Sequence, residues 1–309
     1  MTLEQLRAFV AVAEREHVTR AAEHLNLTQS AVSSAVAALE QEFGIKLFHR
    51  VGRGITQTEA GKFFLAEATA ILARAEAART GMNEFTGLTR GRLTIHASQT
   101  ISSYFLPPYL VEFHNQFPGV ELVVSAGNTA QVAQAVATGS AELGFIEGPV
   151  SDPRLSTTIV AADEMIVVVA PGHAWAVKPS LSPEDIMAGS WILREDGSGT
   201  RAVFAESLAG LGVETARLRV QIALPSNEAV RRTVEQGAGA AALSLAVCAE
   251  SIAAGRLVRV KLKLPKRQFH AVQHVDHYRS RIVTAFLNSM DKRLKESLGL
   301  PGHRAHSQL

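Results

Sequence analysis

TRAAEHLNLTQSAVSSAVAALEQEFGIKLFHRVGRGITQTEAG, residues 19–61, decides the reading of the N-terminal part of this chain. Thr19 can cap a short helix through Ala21, Ala22 and Leu25. Asn26 and Leu27 then turn the chain, and Thr28 can cap the next helix, from about Gln29 to Phe43. That helix buries Val32, Val36 and Leu39 and stops at Gly44, which suits the left-handed backbone after a helix. From Ile45 to Thr58 apolar and polar residues alternate around Gly52 and Gly54, the pattern of a two-stranded ribbon. Upstream, Leu3, Leu6, Phe9, Val10 and Ala13 recur at helical spacing and predict one more amphipathic helix.

A helix that enters a major groove must carry short polar side chains near its N-terminus, because bulky ones hold the backbone away from bases and phosphates. Thr28, Gln29, Ser30, Ser33 and Ser34 meet that need, and Gln29 can pair with adenine through two hydrogen bonds. Arg50 and Arg53 lie with His49 on the ribbon, with no acid before Glu59, and Arg20 and Lys46 are close in sequence. By residues alone, a packing module with a serine-rich solvated face is the competing reading.

The run from Ala8 to Gly61 resembles the winged helix-turn-helix of the LysR-type transcriptional regulators at almost every motif position, departing mildly at Val18 and Gln57. The resemblance implies a cytoplasmic homo-oligomer, a homodimer or homotetramer, that binds double-stranded promoter DNA. It also implies a contact with RNA polymerase if the protein activates transcription. An alanine-rich linker helix and an effector domain like a periplasmic binding protein are what that family carries next.

Composition excludes more than it assigns. Among 309 residues, 31 Lys and Arg against 29 Asp and Glu leave +2, so bulk charge does not announce a nucleic-acid partner. The longest nearly apolar stretch, Ala238 to Ala249, is broken by Ser244 and is too short to span a membrane. The first residues do not read as a signal peptide, so a cytoplasmic location is expected. Cys248 is the single cysteine, which rules out an internal disulfide and a cysteine-based zinc site. No GxSxG, HExxH or CxxC sequence is present, so no enzyme activity, metal or cofactor is expected. His270, His274 and His277 fall where a strand and a helix start would scatter them.

A long helix from about Thr58 to Phe85 carries Phe64, Ala68, Ile71, Ala75, Ala78 and Met82 close to a heptad seam, predicting dimerisation. The alternative is that this seam folds back on its own chain. Beyond Arg92, strands and helices alternate, which argues for parallel sheets with crossover helices. The fold class is therefore α/β with an α-rich N-terminal winged helix-turn-helix and a C-terminal two-lobed, periplasmic-binding-protein-like effector domain. The expected domains are 1–58 (DNA binding), 59–91 (linker helix and hinge) and 92–300 (effector domain), with a disordered tail at 301–309. Lobe I takes 92–161 and 267–300, and lobe II takes 162–266.

Ligands of such domains bind at the carboxyl ends of strands, where helix N-termini offer free N–H groups. Ser98, Gln99 and Thr100 hold that position in lobe I, and Ser198, Thr200 and Arg201 in lobe II. Further candidates are Asn128, Thr129, Glu147, Ser226 and Asn227. The hydroxyls, and a GSGTR form like that of sulfur-assimilation and carbon-fixation regulators, predict a small anion: a sulfur oxyanion, a carboxylate or a phosphorylated metabolite. Glu147 is the awkward member: it would repel an anion, so it argues for an amine-bearing or protonated ligand or lies outside the pocket, and it is expected at the cleft rim. Arg201 is equally able to pair with Asp196. A ligand-binding sensory module without DNA function is the alternative of a different class.

Overall fold

A computed structural model of the chain describes residues 1–51, 54–84 and 91–297. Arg53, most of the hinge before Gly91 and the tail lie outside the described residues. The chain divides into two compact units, the first built from its N-terminal elements and the second from Gly91 onward.

The first unit contains α1 (Leu3–Arg15), α2 (Val18–Leu25), α3 (Gln29–Phe43), β1 (Phe48–Val51), β2 (Gly54–Gln57) and α4 (Glu59–Glu84). Thr2 and Gln5 form a capping box on α1. The cap of α2 is His17, not Thr19: Glu16 turns left-handed (φ 48°) directly after α1, so extended backbone falls at His17 and Thr19 lies inside the helix. Asn26 (φ 54°) makes the tight turn, and the Thr28 hydroxyl accepts from the Ala31 N–H at 3.2 Å to start α3. β1 and β2 pair antiparallel, with Phe48 opposite Gln57. Leu6, Phe9, Leu39 and Leu47 form the core, and the Phe9 ring lies 5.3 Å from Phe48 and 4.9 Å from Phe64. Gly61 is required here, because a Cβ would strike the Leu47 carbonyl.

The dimerisation seam needs correction at its start. Ala68 is wholly buried against Leu6, Phe9 and Leu39 of its own chain, and Phe64 packs on the same core. Ala68 thus covers the apolar face of α1 and is closed to a second copy, while Phe64 is half-buried on the same core. Ile71, Ala78 and Met82 are exposed, Ala75 is half-buried, and Phe63 stands 69% exposed beside the inward-turned Phe64.

The second unit has two lobes. Lobe I comprises β3 (Gly91–Ser98), a π-helical turn (Ile101–Phe105), α5 (Pro107–Gln116), β4 (Val120–Gly127), α6 (Thr129–Ala137), β5 (Leu143–Ile146) and β6 (Leu155–Asp163). Lobe II follows with β7 (Met165–Val169), α7 (Pro183–Ala188), β8 (Ser190–Arg194), α8 (Gly199–Ala209), β9 (Arg219–Leu224), α9 (Asn227–Glu235), β10 (Ala241–Ser244), α10 (Leu245–Ala253) and β11 (Val258–Arg259). The chain then returns to lobe I as β12 (Arg267–His274) and α11 (Arg281–Ser297).

Lobe I is one five-stranded sheet in the order β4-β3-β5-β12-β6. β3 is parallel to β4 and β5, but β12 is antiparallel to β5 and β6, so the sheet is mixed rather than parallel. β6 and β12 are the strands that join the lobes, and a strand that leaves and returns must run against its neighbours. In lobe II, β7 is antiparallel to β10 and β11, β8 is parallel to β9, and a Trp191–Ala240 bridge ties the two sets. Phe113, Phe145 and Phe286 centre one core, and Trp175, Trp191 and Phe204 the other. No described helix is long and apolar enough to cross a membrane.

Candidate DNA-contact surface and effector cleft

The N-terminal turns of α3 present Thr28, Gln29, Ser30, Ser33 and Ser34 on the exposed side, while Val32 and Leu39 anchor the opposite side. Gln29, Ser33 and Ser34 make no side-chain bond among the described residues, whereas the Thr28 and Ser30 hydroxyls bond each other at 3.1 Å. Arg20 on α2 and Arg50 on β1 are exposed and unpaired among the described residues. Lys46 is not part of that charge, since it pairs with Glu40 at 2.5 Å.

In the second unit, the N-termini of α6, α8 and α9 meet at the junction of the lobes. Glu147, just after β5, is 3% exposed, and its Oε1 accepts from Thr100 (3.2 Å) in lobe I and Thr200 (3.3 Å) in lobe II. Arg267, at the start of β12, donates to Thr200 (2.9 Å) and Asp163 (2.6 Å) and stands 3.8 Å from Glu147. Asn227 donates to Thr100 at 3.0 Å and accepts from Arg194 at 2.6 Å. Gln99 reaches across to the Pro225 carbonyl (2.8 Å) and the Asn227 N–H (3.1 Å), and Asn128 donates to Glu195 (3.2 Å). Burial alone would push the Glu195 pKa up, but the Arg194 and Asn128 hydrogen bonds outweigh it and hold the carboxyl below its usual range. The Ser98 and Thr129 hydroxyls are buried with no partner among the described residues, and Ser198, the residue before α8, supplies no side-chain cap. An open groove of ≈ 970 Å³ runs past Thr129, Gly197 to Gly199 and Arg201.

Two family profiles match the chain, one in each unit. Residues 3–62 match "Bacterial regulatory helix-turn-helix protein, lysR family", and residues 86–295 match "LysR substrate binding domain". The chain belongs to the LysR family of transcriptional regulators. Among its relatives is the uncharacterized HTH-type transcriptional regulator YeiE of Escherichia coli K12, 33% identical over 94% of this chain and 97% of that one. A probable RuBisCO transcriptional regulator of Cyanidioschyzon merolae is 31% identical over 94% and 97%. The regulatory domain of Synechocystis CcmR, solved in complex with 2-PG, superposes with TM-score 0.61 at 25% identity, covering 67% of this chain and 98% of that one. The helix-turn-helix match answers the reading as a ligand module alone, and the family is one of transcriptional regulators rather than enzymes.

Within this regulator the cleft differs from the sequence expectation at several residues. Glu147 is not at the rim: it lies buried where both lobes converge, its charge offset by Arg267. Arg201 takes the alternative partner, pairing with Asp196 at 3.0 Å and donating to the Arg194 carbonyl at 3.2 Å. Ser226 caps α9 through the Ala229 N–H at 3.0 Å. Gln99, Asn128 and Asn227 are engaged in holding the lobes together. Arg194, Glu195, Asp163 and Arg267 were not anticipated. A signal existed for Arg194: it ends a strand, Ser190–Arg194, whose inner residues Trp191, Ile192 and Leu193 are apolar, where a charge must be paired to be buried. Cys248 is buried in α10, and desolvation pushes its thiol up to about 12, the state of an inert packing residue. His274 and His277 stack on each other at 3.7 Å, and no metal-holding group occurs among the described residues.

Proposed function

We propose that this regulator docks α3 in the major groove of promoter DNA and is switched by a small anionic effector held between its lobes. Gln29 reads bases with Ser33 and Ser34, Thr28 and Ser30 fix the helix N-terminus on the backbone, and Arg20, Arg50 and Arg53 bind phosphates. The regulator works as a cytoplasmic homodimer or homotetramer, paired through the later turns of α4 at Ile71, Ala75 and Ala78. Its DNA-binding domains then engage half-sites roughly 34 Å apart. The domain limits are 1–58, 59–91 and 92–300, and as an activator it would contact RNA polymerase.

The observation that carries the effector class is a pair of buried hydroxyls with no partner among the described residues: Thr129, beside an α8 N-terminus without a side-chain cap, and Ser98 at the end of β3. Buried hydroxyls without partners are costly, and an anion accepts from hydroxyls and helix N–H groups alike. Ser198 extends the donor set; Thr100 and Thr200, whose protons go to Glu147, frame the site together with Asn227, Gln99, Asn128 and Ser226, and Arg201, paired with Asp196, lines the groove. A sulfur oxyanion, a carboxylate or a phosphorylated metabolite fits. The solved complex of CcmR with 2-PG and the 31% identity to a RuBisCO regulator favour the same class.

The test is a fluorescence-anisotropy titration of the protein against the DNA upstream of its own gene, with a scrambled duplex as competitor. Sulfate, sulfite, phosphate and 2-phosphoglycolate are then added in turn. Competitor-resistant binding that one of these anions alters is the expected result. Binding no tighter than to scrambled DNA, together with an empty genome-wide pull-down, overturns the promoter reading. Indifference to every anion overturns the effector class.

A further inference from the structure

Glu147 also lines a cavity of ≈ 540 Å³ that the anion reading leaves unused. Glu147 and His270 of lobe I, Glu206 on α8 of lobe II, and Lys263, Lys266 and Arg267 of the returning segment line it. Two buried polar atoms among these residues have no hydrogen-bond partner: Glu147 Oε2 and His270 Nδ1. The other Glu147 oxygen is already taken by Thr100 and Thr200. A buried carboxylate oxygen without a donor is among the more expensive features a fold can keep. Lys263 and Lys266 are exposed and make no ion pair among the described residues.

These groups constrain an occupant from both ends. An anionic group pressed against Glu147 would be repelled, and a cationic one would meet the Arg267 guanidinium 3.8 Å from the carboxylate. Burial, the largest effect, pushes the His270 pKa down against a Gln268 backbone contact that raises it, which disfavours the ring as a countercharge. A neutral hydroxyl at the inner end, with negative charge at the lysine end, satisfies both. We propose that this cavity is a second small-molecule site, for a hydroxylated anion: a hydroxyl donates to Glu147 Oε2, and a carboxylate or phosphate rests against Lys263 and Lys266.

The site spans both lobes and shares Glu147 and Arg267 with the effector cleft. Both residues hold Thr100 and Thr200, so an occupant on one side of the carboxylate biases the other side, and the coupling is reciprocal. Only this consequence rests on the effector reading; the binding itself does not.

Isothermal titration of the full-length protein with glycerol 3-phosphate and with propyl phosphate, which lacks both hydroxyls, tests the proposal. Glycerol 3-phosphate is expected to bind at least about tenfold more tightly, the lower end of what a hydrogen bond to a charged group contributes. Glu147→Gln removes that preference. Lys263→Ala with Lys266→Ala, both on the exposed surface, weakens both ligands about tenfold or more. The same double variant keeps whatever response to sulfate the wild type shows in the promoter assay, so loss of the front cleft is read separately. Equal affinity for the two phosphates, no binding of either, or a lysine variant that binds glycerol 3-phosphate as tightly as wild type overturns the proposal.

Discussion

Gly148 of lobe I and Gly199 of lobe II meet backbone to backbone: a Cβ on Gly148 would stand 2.7 Å from the Gly199 Cα. A Cβ on Gly199 would meet the Thr129 hydroxyl and lie 2.9 Å from the Gly148 nitrogen. The lobes thus close to a distance that only two glycines permit. In Gly148→Ala the added methyl holds them apart, at an overpacking cost of about 1–3 kcal/mol. The effector dose-response of promoter binding should shift by about tenfold or more, while the effector-free protein binds DNA as before. An unchanged dose-response would show that the contact is no stop.

Arg267 and Asp163 form a buried pair at 2.6 Å where the two crossing strands pass, with the Ser244 hydroxyl on the other Asp163 oxygen at 2.8 Å. Removing one partner leaves an uncompensated buried charge. Arg267→Leu is expected to cost about 3–5 kcal/mol, read by urea denaturation, and Arg267→Leu with Asp163→Leu should recover the part due to Asp163, the Glu147 carboxylate remaining without its arginine. A double variant as unstable as the sum of the singles would locate the loss elsewhere.

The proposed roles of Gln29 and Arg50 separate base reading from backbone affinity. Gln29→Ala should reduce the ratio of promoter to scrambled binding. Arg50→Ala should weaken both duplexes alike and lower the salt slope by about 1. Equal effects of the two substitutions on that ratio would refute the division.

Glu40 ties α3 to the wing. Burial, the largest effect, pushes its pKa up, but Lys46 and the N–H groups of Leu47 and Phe48 together outweigh it and hold the carboxyl below its usual range. Its contribution to stability is therefore present above the unfolded-state pKa and lost as pH falls through the folded one. Glu40→Gln should be less stable than wild type at neutral pH, with the gap closing below about pH 4. A gap that persists in acid would mean that the carboxylate charge is not what Glu40 contributes.

The elements of the helix-turn-helix and its wing were legible in the chain because they are local. Thr28 as cap, Gly44 as stop and the alternation from Ile45 to Thr58 are decided within a few residues. The inward turn of Phe64 and Ala68 was not legible, since a seam at three-and-four spacing looks the same whether it covers α1 or a second copy. His17 displaced Thr19 as cap for the same reason: a left-handed Glu16 reset the register.

The strands and helices of the effector lobes, and the hydroxyl-bearing segments after β3 and before α8, were set by the sequence itself through periodicity and punctuation. The tertiary structure alone decided which charges share the cleft. Glu147, Asp163, Arg194 and Arg267 lie far apart along the chain, and no local pattern says which buried carboxylate a given arginine will neutralise. That pairing is chosen where the strands between the lobes cross, because an ion taken out of water is stable only where folding places its partner.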